Sequence, residues 1–153
     1  MTDQRVVLSG KALGITETEH AAMLEVRELF ASGKLYHDKG CELMKPNGFN
    51  MNVCVDQDGC GTTCCIGGWM YLVMVRDGAA PCKSAHEYVA LKRSRALAPL
   101  FFPFTDHNRR DLVDENGQSY DFPYEEMPPA FGLAAMDNFL ATGDPNWPAV
   151  TGH

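Results

Sequence analysis

The rhythm of apolar and polar positions changes several times along this chain, and each change predicts an element. Thr16-Glu17-Thr18-Glu19 is a helix-start signal: the Thr16 hydroxyl can accept from the backbone N–H three residues on, while the Glu19 carboxylate reaches back. Met23, Val26, Leu29 and Phe30 follow at helical spacing and Gly33 supplies a stop, so an amphipathic helix is predicted near 18–32. Over Phe49-Asn50-Met51-Asn52-Val53-Cys54-Val55 the period shortens to two, apart from the last residues, which predicts a short edge or hairpin strand. Val6, Val7 and Leu8 make 4–9 a second strand candidate. The rest of 34–62 is irregular, punctuated by Gly40, Pro46-Asn47-Gly48 and Gly59.

From Cys65 to Val75 nearly every position is apolar, which predicts a buried central helix at about 65–76, capped by Thr62 or Thr63. Gly67 and Gly68 each cost about 1 kcal/mol against alanine there, so they are expected where another backbone comes close. Ser84-Ala85-His86-Glu87 is a second capping box, opening a helix through Leu97 with Tyr88, Leu91 and Leu97 inward and Lys92, Arg93 and Arg95 outward. The prolines of Pro99-Leu100-Phe101-Phe102-Pro103-Phe104 forbid a regular helix and predict an extended strap on the core. Pro128-Pro129 opens a last helix with Phe131, Ala135, Phe139 and Leu140 on one face, closed by Gly143, and Trp147 is expected to pack back. The whole chain, 1–153, therefore reads as one helix-dominated α+β domain with a small strand pair and an irregular acidic insert at 105–129.

Composition narrows this picture. At 153 residues, 45% apolar and 22% charged, the chain is an ordinary globular length and mix. No apolar run approaches the about 20 residues that span a bilayer, so no membrane is expected. The start, Met1-Thr2-Asp3-Gln4-Arg5, lacks a signal peptide's basic and apolar regions, which points to the cytoplasm. Its six cysteines are then expected as reduced core, metal or catalytic thiols.

Charge sharpens it further. The net charge of −7 lies in the last third, where Asp106, Asp111, Asp114, Glu115, Asp121, Glu125, Glu126, Asp137 and Asp144 face only Arg109 and Arg110. Direct nucleic-acid binding is disfavoured, because it needs a concentrated basic surface. The residues Asp106, Asp111, Asp114, Glu115, Asp121, Glu125 and Glu126 are instead candidates for docking on a basic protein partner.

Three segments together carry a resemblance. They are Phe49-Asn50-Met51, the box Cys60-Gly61-Thr62-Thr63-Cys64-Cys65-Ile66-Gly67-Gly68 with Leu100-Phe101 after it, and a closing stretch ending in Thr142-Gly143 and Trp147. Over roughly 49–147 the chain resembles a group of small proteins common in bacterial genomes and their phages. It departs from their pattern by the extra Cys64 and the acidic insert. The resemblance implies a phage or mobile-element context and no particular reaction.

Two chemistries compete with pure binding. Cys64 or Cys65 at a helix N-terminus would feel the dipole and free N–H groups that favour thiolate, with His86 or His107 as the base. The order Gln57, Cys60-Gly61, Cys64 loosely resembles the active-site stretch of papain-like proteases. Structural zinc is the second, with His37 or Cys41 joining Cys54, Cys60 and Cys64; His37 and Cys41 are spaced for a chelate, as are Cys60 and Cys64, but no Cys-x-x-Cys knuckle is present. Paired carboxylates lack a second cluster to separate their pKa values, and Asp56-Gln57-Asp58-Gly59 begins like a calcium loop without its closing glutamate. With no complete catalytic constellation, the expected function is non-enzymatic: a phage or mobile-element protein that binds a host protein, in the manner of an anti-CRISPR inhibitor of a defence complex.

Overall fold

A computed structural model describes residues 6–38, 47–51, 55–57, 62–91, 96–103, 116 and 126–152. Seven helices and four short strands are assigned among them. The fold is α+β and helix-dominated.

The N-terminal run is not a strand over residues 6–9. The Leu8 N–H donates to the Leu140 carbonyl at 2.8 Å, which ties the run to a helix end rather than to a sheet edge. Ser9 then caps a single turn, α1 (Gly10–Leu13), by accepting from the Ala12 N–H at 3.1 Å. Helix α2 (Glu17–Ala31) begins as the capping box requires: Glu19 N–H donates to Thr16 Oγ1, Thr16 N–H donates to Glu19 Oε1, both at 3.0 Å. Its buried face is Ala22, Met23, Val26 and Phe30, and Gly33 at φ +75° turns the chain away.

The strands β1 (Tyr36–His37), β2 (Gly48–Phe49), β3 (Val55–Gln57) and β4 (Thr62–Cys64) form one sheet in the order β1-β2-β4-β3. The first three in that order are parallel, and β3 runs antiparallel to β4. Of the expected strand at 49–55, Phe49 belongs to β2 and Val55 to β3, on opposite sides of β4, and residues 52–54 lie outside the described residues. Asn50 closes β2 on both sides: its backbone N–H donates to the Cys64 carbonyl of β4 at 3.2 Å, and its side-chain N–H donates to the Asp38 carbonyl at 3.0 Å. The strand pair read from alternation is part of a larger, mixed sheet whose parallel partners lie far apart in sequence.

Helix α3 (Ile66–Arg76) is the central helix, packed against α2, against α4 (Ala85–Leu91), against α5 (Ala98–Phe101) and on β4. Two expectations for it are corrected. Thr62 and Thr63 belong to β4, and the N-cap is Cys65, whose Sγ accepts from the Gly68 N–H at 3.4 Å. The outer surface of the helix is not buried either: Val75 is 44% exposed, because α3 has neighbours over only part of its circumference. At Gly67 a Cβ would stand 2.8 Å from Val89 Cγ2 and 3.2 Å from the Phe101 ring, so side chains rather than a backbone demand the glycine.

In α4, Ser84 Oγ accepts from the Glu87 N–H, while Glu87 reaches back one residue further than a capping box does, to the Lys83 N–H. The helix is described over Ala85–Leu91, and Leu97, its expected end, lies in a turn ahead of α5; Lys92, Arg93 and Arg95 lie outside the described residues. The predicted strap is partly helical. Pro99 falls in the first turn of α5, where its missing N–H has no partner to lose, and Leu100 and Phe101 enter the core. Helix α6 (Pro129–Thr142) runs from Pro128 to Gly143 at φ +85°, burying Ala135, Met136, Phe139 and Leu140. A further short helix, α7 (Trp147–Thr151), carries Trp147 back into the core, where its indole N–H donates to the Pro99 carbonyl at 2.8 Å.

Candidate functional site

The described part of the cysteine box, residues 62–68, sits where the three parallel strands meet the entrance of α3. Strand register sets two rows across them: Tyr36, Gly48 and Thr63, then His37, Phe49 and Cys64. Residues in register on neighbouring parallel strands share a face, with strands about 4.8 Å apart. His37 and Cys64 therefore stand on the outer strands of their row with Phe49 between them. The Phe49 ring lies 6.4 Å from the His37 ring and 5.0 Å from Phe30. Both Phe49 and Cys64 are fully buried.

The residues just past the carboxyl ends of β1, β2 and β4 are Asp38, Asn50 and Cys65. This is the edge at which open parallel sheets usually carry their chemistry. Here it holds a buried polar layer. Asp38 and Asn50 are each 2% exposed and Thr63 is 5%. The Thr63 hydroxyl donates to Asp38 Oδ2 at 2.8 Å. Gly48, the neighbour of Thr63 in its row, presents no side chain, and its carbonyl accepts from the Trp69 indole N–H at 3.0 Å. A carboxyl group out of water needs such donors. Sequence reasoning missed Asp38 and Asn50, and assigned Thr63 to a cap. Their association depends on strand register between distant segments, and no local motif signals it.

The candidate catalytic residues are not gathered. Cys64 is fully buried and Cys65 is 5% exposed, its Sγ already serving as the cap acceptor. His86 is exposed on α4, and His107 lies outside the described residues. Of the candidate zinc ligands, His37 and Cys64 are separated by Phe49 as above; Cys41, Cys54 and Cys60 lie outside the described residues. Among the described residues no three His, Cys, Asp or Glu side chains group as a metal site. Of the acidic residues, Asp106, Asp111, Asp114, Glu115, Asp121 and Glu125 lie outside the described residues, and Glu126 is exposed. Two more acids of the last third have structural work. Asp137 accepts from Arg27 Nε at 2.8 Å, joining α2 to α6, and exposed Asp144 accepts from the Asn146 N–H at 2.9 Å ahead of α7.

Among the described residues no helix is long and apolar enough to cross a membrane. Compared with protein-family models, curated proteins and solved structures, the chain matches none.

Proposed function

We propose that this protein acts by binding another protein with a basic surface, as a phage or mobile-element accessory protein that inhibits a host defence complex in the manner of an anti-CRISPR. The observation that carries the binding reading is the charge imbalance: the net −7 belongs to residues 106–153, with nine acids against Arg109 and Arg110. A field of one sign speeds docking on a partner of the other and repels phosphate backbones. Burial of Cys64 and Cys65 in the fold's centre supports the same reading, since it gives the cysteine box a packing role. The mobile-element context comes from the motif resemblance alone, and the place of action is then the host cytoplasm.

The test is retention of a partner from bacterial lysate on the immobilised protein. It is compared with a variant in which Asp106, Asp111, Asp114, Glu115, Asp121, Glu125 and Glu126 become Asn or Gln. The expected outcome is one specific protein held at low ionic strength, released as salt shortens the screening length from about 10 Å at 0.1 M, and lost in the neutralised variant. No specific partner, or a partner held equally by the variant, sinks the charge-based reading.

A second reading, a thiol enzyme, draws support from Cys65 at the mouth of an 11-residue helix with the Gly68 N–H on its sulfur. Stoichiometric iodoacetamide labelling of the folded protein at neutral pH, confined to Cys64 or Cys65, favours it; thiols that react only on unfolding remove it.

A further inference from the structure

We draw no further inference here: the strongest candidate, the apolar groove that Val6 and Val7 line with Leu24 of α2 and Leu140 of α6, carries nothing because nothing in the structure shows what covers it.

Discussion

At Gly132 the backbone of α6 meets the edge of the Phe30 ring: a Cβ there would lie 2.6 Å from Phe30 Cε2. Phe30 has little room to yield, because its ring already stacks edge-on against Phe49 at 5.0 Å. Gly132→Ala gains up to about 1 kcal/mol of helix propensity and loses about 1–3 kcal/mol to overpacking. The overpacking wins, so a net loss of about 1–2 kcal/mol is expected, read as a lower urea midpoint at constant m-value. The same change at Gly67 should cost less, since its nearest neighbour is a terminal methyl of Val89. A stabilised Gly132→Ala would refute the packing argument. Cys65 offers a cleaner substitution. Ser keeps an acceptor for the Gly68 N–H, whereas Ala removes it, so Cys65→Ala should fall below Cys65→Ser by about 1 kcal/mol in the same titration. Equal stability of the two would mean the 3.4 Å contact does not cap the helix. A close approach at Gly67 was legible in the chain, though side chains rather than the expected backbone make it; Gly132 and the cap were not. A cysteine is an uncommon cap, and the two threonines beside it look better suited until strand β4 claims them.

At the scale of elements, the capping signals at Thr16 and Pro128 and the stop at Gly143 translate directly into α2 and α6, because their hydrogen bonds close within a few residues. What a local pattern does not carry is the bond between helices. Tyr88 on α4 donates its hydroxyl to Glu19 Oε2 on α2 at 2.7 Å, with Tyr88 1% and Glu19 3% exposed. Glu19 is thus both a capping residue, which the sequence shows, and a buried inter-helix acceptor, which only packing reveals. Burial, followed by the bond to the Glu19 carboxylate and that carboxylate's charge, raises the Tyr88 pKa well above its ordinary 10.0. Tyr71, whose hydroxyl donates to the Cys82 carbonyl, is raised in the same direction, by burial first. The sign follows from proton counting. Above the ordinary value the unfolded chain releases the Tyr88 proton and the native state keeps it, so stability is constant below about pH 10 and falls as pH rises beyond it. Tyr88→Phe should flatten that alkaline decline, while lowering stability at pH 7 by about 1–3 kcal/mol through the donor lost to a buried carboxylate. Urea midpoints from pH 8 to 11.5 decide it: equal slopes in the two proteins would remove Tyr88 as the group responsible.

Across the whole molecule, one buried cluster runs from Leu13 through Met23, Phe49, Met70 and Leu100 to Trp147, so segments from both ends of the chain share a single interior. The helix-dominated class was readable because amphipathic periods are local. The sheet order was not, since β2 reaches β4 past β3 and each strand spans two or three residues, too few to show a period. A shared interior makes a definite demand on unfolding. The chain's two tryptophans report opposite regions: Trp69 bonds the Gly48 carbonyl beside the sheet, and Trp147 bonds the Pro99 carbonyl where α5 and α7 meet. If the interior is one cooperative unit, Trp147→Phe and Trp69→Phe proteins, each carrying one emitter, should show fluorescence transitions that coincide with loss of helical circular dichroism in the same protein. The two variants can differ in midpoint, because each removes a different indole bond. The comparison is therefore made between probes within one protein and not between proteins. A Trp147 transition that precedes the helical one would show that the α6–α7 end opens on its own while α2, α3 and the sheet remain folded.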